Sequence, residues 1–95
     1  MGKVKSVIYE CMDNCIVCGS PYVQVHHIFY GTANRKISDE YGYVMPLCQE
    51  HHTGSTGIHF KRDFDLAMKK QAQEHFEAHF GARNDFIKLI GKSYL

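Results

Sequence analysis

Cys15-Ile16-Val17-Cys18 and, about 30 residues later, Cys48-Gln49-Glu50-His51-His52 are the stretches on which the reading of this chain turns. Each holds a pair of metal-ligating side chains separated by two residues, the spacing that lets both reach one tetrahedral ion. On a helix Cys48 and His51 are three apart and share a face, and Cys48 and His52, four apart, share it too. His51 is taken as the fourth ligand, with His52 as the alternative. Four protein ligands leave no open position, so the expected Cys15, Cys18, Cys48, His51 zinc site is structural. Cys11 lies outside both pairs and is read as a core residue.

Working outward, the composition fits a single small globular domain over residues 1–95: 44% hydrophobic, 22% charged, formal net charge +1. A chain this short buries a modest core and gains from a staple. Near-neutral charge means that any nucleic-acid surface must come from local clustering. The opening residues show no signal-peptide pattern, and no run approaches the roughly 18 apolar residues of a membrane span. A cytoplasmic location follows as the expectation, where thiols stay reduced and bind metal.

Five of the seven histidines fall between His26 and His59. With His51 assigned to zinc, His26, His27, His52 and His59 remain. Neighbours on a helix are about 100° apart, so His51 and His52 point to two places, which suits two adjacent metal sites. Neighbours on a strand face opposite ways. His26 and His27 therefore serve one site only at a strand end or distortion; otherwise one holds a metal and the other works beside it. A hydrolase needs such a pair, a metal to stabilise charge on phosphate and a neutral imidazole to take a proton from water. His59, beyond a glycine-rich loop, is either a further ligand or structural.

The periodicities predict α-β-β-α-α-α. Val4, Val7, Ile8 and Cys11 suggest an N-terminal helix, although Ser6–Tyr9 also reads as a strand. Cys15–Gly19 is a turn, Tyr22–Ile28 a strand, Gly31–Gly42 a loop, and Tyr43–Leu47 an edge strand containing Pro46. A short helix begins near Cys48 and stops before Gly54-Ser55-Thr56-Gly57. A longer one carries the stripe Phe64, Ala67, Met68, Ala72, Phe76, Phe80 and stops at Gly81. Asn84 caps a last helix bearing Phe86, Leu89 and Ile90, which Gly91 ends. The expected fold class is thus α+β, a zinc-stapled ββα core over about 15–60 with C-terminal helices over about 62–92.

Taken together, Cys15-x2-Cys18, Val25-His26-His27-Ile28 and Pro46-Leu47-Cys48-x2-His51-His52 resemble the zinc-containing HNH (ββα-metal, His-Me finger) endonucleases. The longer stretches Pro21–Ile28 and Pro46–Gly54 are most similar to the phage recombination-enhancement, RecA-dependent nucleases. The resemblance spans roughly residues 10 to 90. It implies DNA phosphodiester hydrolysis with Mg2+ or a similar divalent ion. His26 stands where the family has an aspartate and is a ligand to the catalytic metal; His27 is the general base; His52 is a second ligand; His59 is a further one. It also implies DNA and a RecA filament as partners. Two departures matter. The asparagine expected shortly before Cys48 is missing, with Tyr43 and Val44 in that region and Asn34 a distant substitute for bracing the loop. Histidine in place of aspartate softens the site and favours Zn2+, Mn2+ or a transition metal over Mg2+.

Arg35-Lys36 and Lys61-Arg62 are candidate DNA contacts, Arg35-Lys36 the better one, whereas Lys69-Lys70 is expected to be solvent-exposed. His75-x3-His79 is not a zincin motif and reads as the polar border of the apolar stripe. Tyr22, Tyr30, Tyr41 and Tyr43 are expected to pack more than to stack on bases. Two other functions compete with the nuclease. One is a non-catalytic zinc-stapled module that binds nucleic acid or protein; the other is a metal hydrolase with a different substrate. His27 discriminates, since a binding module has no use for a base beside a metal ligand.

Overall fold

A computed structural model describes residues 5–55 and 57–95. The chain is α+β, with a two-stranded antiparallel sheet and helices around it. Strand β1 (Val23–His27) leads into helix α1 (Thr32–Tyr41), and strand β2 (Val44–Cys48) runs directly into the one-turn helix α2 (Gln49–His52). A 310 turn (Ile58–Phe60), the long helix α3 (Arg62–His79) and helix α4 (Arg83–Ile90) follow. In the sheet Val23 pairs with Cys48, His26 with Met45 and His27 with Val44. Pro46 is tolerated because a two-stranded sheet has only edge strands. Its carbonyl accepts the Ile16 N–H at 3.1 Å, tying the Cys15 turn to β2.

The core lies between the sheet and the C-terminal helices. Phe29, Tyr43, Met45 and Leu47 meet Ile58, Met68, Ala72, Phe76, Phe86 and Ile90. The Phe29 and Phe76 rings lie 5.4 and 5.5 Å from Phe86, edge to face, an arrangement aromatic quadrupoles favour. The stripe of α3 is narrower than its spacing suggests. Met68, Ala72 and Phe76 are buried and Phe64 is partly so, whereas Ala67 and Phe80 are exposed. Buried Gln73 latches the C-terminus: its amide donates to Ser93 Oγ at 3.0 Å and accepts the Tyr94 N–H at 2.6 Å.

Five local expectations need correction. The N-terminal helix does not form over the described residues 5–14, and Val4 lies outside them. Ser6 Oγ accepts the N–H groups of Ile8 and Tyr9, a side-chain turn that competes with helix. The Val7 N–H bonds to Gly42 O at 3.0 Å instead of to its own segment. Cys11 is consequently exposed, not core. The stretch 31–42 is a helix, not a loop; its glycines stand outside it, Gly42 closing α1 at φ 78°. Asn84 is inside α4, not its cap. Ala82 holds that position, and the Asp85 carboxylate accepts the Ala82 N–H at 2.9 Å. Lys69 is buried at 8% exposure, because its Nζ reaches Asp65 at 2.9 Å and sits 4.1 Å from the Tyr30 ring centre. Burial alone would lower its pKa; the hydrogen bond and charge of Asp65 outweigh burial and raise it.

Candidate metal centres

The Cys15–Cys18 turn is closed by Gly19 N–H to Cys15 O and Cys15 N–H to Ser20 O, both 2.8 Å, with Gly19 at φ 79°. β2 delivers Cys48 beside this turn, and α2 carries His51 onto the same side. The four ligating atoms of Cys15, Cys18, Cys48 and His51 lie within 4.8 Å of one another. Cys18 Sγ is 3.7 Å from Cys48 Sγ, and His51 Nδ1 is 3.8 and 3.2 Å from the sulfurs of Cys15 and Cys48. A tetrahedral zinc ion needs edges of about 3.8 Å between sulfurs and about 3.6 Å between sulfur and nitrogen. The set therefore fits such an ion through His51 Nδ1, and His52 is not part of it. Burial opposes the Cys15 thiolate, but backbone hydrogen bonds from Cys48, Cys18 and Val17 outweigh it and bring its pKa to about 6. The ligating form is thus favoured.

A second cluster lies on the other side of α2. His26 from β1, His52 from α2 and His59 from the 310 turn present ring nitrogens within 4.8 Å of one another. Their ring centres are 5.1, 5.1 and 4.9 Å apart. His26 is 1% exposed, and neither of its ring nitrogens has a hydrogen-bond partner among the described residues. Burial first, then the charges of His52, His59, His27 and Lys69, push its pKa down to about 3. Burial and then His59 and His27 lower that of His52. His26 and His52 are thereby held toward the neutral, ligating form. His52 Nδ1 donates to Gln24 Oε1 at 2.7 Å, which leaves Nε2 as its ligating nitrogen.

His27 stands beside this triad and outside it, as strand alternation requires. Asp39 Oδ1 accepts its Nε2–H at 2.7 Å. A carboxylate can only accept here, so Nδ1 is the nitrogen left to take a proton. His26, His27, His52 and His59 line one pocket of about 570 Å³ with Val25, Tyr30, Gly31 and Arg35. Of the four candidate DNA cations, Arg35 reaches this pocket, from α1. Lys36, Lys61 and Arg62 are exposed around it in sequence.

The brace of the β1–β2 connection is Ser38, not Asn34. Ser38 Oγ donates to Phe29 O at 2.7 Å and accepts the Phe29 N–H at 3.0 Å, and the Ser38 carbonyl accepts the Tyr43 N–H at 2.9 Å. Asn34 donates to Ile90 O and fastens α1 to α4. Gln24 and Asp39 are the site residues that sequence reasoning missed. Gln24 carried a usable signal, being two before His26 on one strand and hence on the same face. His75 Nδ1 meets Tyr43 OH at 3.1 Å, and its ring lies 4.3 Å from that of His79, tilted by 33°, at the border of the α3 stripe. Tyr41 and Tyr43 pack face to face at 6.0 Å, whereas Tyr22 and Tyr30 are exposed.

Compared with known protein families, with curated proteins and with solved structures, the chain matches none. No helix among the described residues is long and apolar enough to cross a membrane.

Proposed function

We propose that the protein is an HNH-type endonuclease that hydrolyses DNA phosphodiester bonds with a divalent ion held by His26, His52 and His59 and with His27 as general base. The observation that carries this reading is His26, buried with both ring nitrogens unpaired among the described residues and facing two further imidazoles. Leaving such a group without a partner costs about 1–3 kcal/mol, and an ion removes the cost. A second ion, zinc, on Cys15, Cys18, Cys48 and His51 staples the fold.

The bound ion would supply Lewis-acid stabilisation of charge on the phosphate and the leaving oxygen. His27 Nδ1 takes the proton of the attacking water, while Asp39 holds the opposite nitrogen and fixes ring and tautomer. Arg35 offsets phosphate charge in the same pocket. Three imidazoles without a carboxylate favour Zn2+, Mn2+ or another transition metal over Mg2+. A nuclease of this size without an evident sequence-reading element takes its targeting from a partner. A RecA filament in the bacterial cytoplasm is that partner in this reading.

The test is cleavage of supercoiled plasmid and single-stranded circles with Mg2+, Mn2+ or Zn2+, with and without a RecA filament. Cutting should fall by roughly 100-fold or more in His27→Ala, with circular dichroism unchanged. Undiminished cutting by His27→Ala moves the base elsewhere. Absence of cutting in a folded protein with both sites loaded leaves a zinc-stapled binding module.

A further inference from the structure

The 310 turn that supplies His59 also presents Phe60, whose ring the metal chemistry does not use. Residues of a 310 helix are about 120° apart, so the three side chains of one turn leave in three directions. Ile58 enters the core at 1% exposure, His59 joins the triad, and Phe60 points outward at 70% exposure. An aromatic ring that exposed contributes little to folding. Lys61 and Arg62, both exposed, follow it directly. Cα atoms of neighbouring residues are about 3.8 Å apart, so the ring is anchored within one residue of a metal ligand. The turn is rigid where it matters: Phe60 N–H bonds to Gly57 O at 2.9 Å and Lys61 N–H to Ile58 O at 3.2 Å.

We infer that Phe60 is a stacking platform for an unpaired nucleobase beside the bond to be cut, with Lys61 and Arg62 on the flanking phosphates. The inference rests on the nuclease reading and adds a preference to it. A flat apolar ring next to paired cations is the chemistry by which proteins hold single strands, because every base has a π face and every nucleotide a phosphate. A paired duplex hides its base faces, so single-stranded, gapped or mismatched DNA gains most from this contact. Tyr30, 42% exposed on the pocket wall, is not an equivalent platform. Its ring already lies 5.1 Å from His59 and under the Lys69 ammonium at 4.1 Å.

The chain contains no tryptophan, so Phe60→Trp places the sole tryptophan at this position, excited selectively beyond the tyrosine absorption band. The full chain carrying Phe60→Trp and His27→Ala, loaded with zinc, is titrated with a labelled oligothymidylate and with a labelled duplex. Label anisotropy reports binding and tryptophan emission reports stacking. Emission should be quenched with the same midpoint as the anisotropy rise for the single strand and change little for the duplex. In parallel, Phe60→Ala should weaken single-strand binding about tenfold or more and duplex binding far less. An anisotropy rise with unmoved emission overturns the stacking inference alone, and so does equal weakening of both DNAs by Phe60→Ala. If neither DNA raises the anisotropy, the nuclease reading fails and this inference with it.

Discussion

At the scale of single residues, His26 and its neighbours illustrate how position on a strand sorts chemically identical side chains. His26 faces inward to the triad and His27 is set beside it on Asp39, because successive strand residues point to opposite faces. The triad depends on groups that are not ligands. Gln24→Ala removes the acceptor that fixes the His52 tautomer. It should weaken metal binding at the triad by about 10- to 100-fold while leaving zinc at Cys15, Cys18, Cys48 and His51. Metal titration against a chelating dye, with zinc content measured separately, checks this. Asp39→Ala should lower the cutting rate by about tenfold or more with little change in DNA affinity, since the base loses its orienting partner. Single-turnover cleavage and binding by anisotropy separate the two effects. The histidines are legible in sequence because metal ligands come from a short list of residue types. Asp39 is not, because its meeting with His27 exists only if residues 32–41 are helical.

At the scale of elements, α1 is the segment that periodicity misreads. Its inward positions include Asn34, Ile37, Ser38 and Tyr41, and only two of these are apolar. What holds the helix in place is largely polar: Asn34 on α4 and Ser38 on both backbone groups of Phe29. A hydrophobic pattern cannot reveal an element docked by hydrogen bonds. Ser38→Ala would leave a buried donor and a buried acceptor of Phe29 without partners. It should destabilise the protein by about 2–3 kcal/mol, read as a fall in urea midpoint at unchanged slope, and should slow cutting because α1 carries Asp39 and Arg35. By contrast β1, β2, α2, α3 and α4 are legible, each marked by β-branched runs, a ligand pair or an apolar stripe, and each within a few residues of its observed bounds.

At the scale of the whole molecule, the two candidate metal clusters have separable roles in the proposed reading. The Cys3His set brings the Cys15 turn against the β2–α2 junction. Mild chelation should empty the all-histidine triad first and stop cutting with circular dichroism intact. Removal of zinc by a strong chelator at low pH should unfold the chain. Loss of both at one chelator concentration would count against this division. Acid acts through the triad as well. With the triad metal removed, His26 carries a folded-state pKa of about 3 against about 6.5 when unfolded. The unfolded chain therefore binds the proton first. Stability from this group is complete above about pH 6.5 and declines as pH falls toward 3. Urea melts across that range should show the decline, and His26→Gln should flatten it.

Residue types and spacing alone mark out the candidate ligand pairs, the α+β class, the strand and helix around Cys48, and the candidate histidines. These follow from local rules of residue chemistry and spacing. Packing sorted the histidines into their two clusters, His51 with the cysteines and His52 with His26 and His59. It also placed His26 in a pocket where its nitrogens find no partner among the described residues, buried Lys69 over the Tyr30 ring, turned Phe60 outward and brought Gln24 and Asp39 to the site. The reason is physical. A ligand pair two residues apart is a property of the chain, but a hydrogen bond from His52 to Gln24 or from His27 to Asp39 joins segments 28 and 12 residues apart. Only packing brings those segments together.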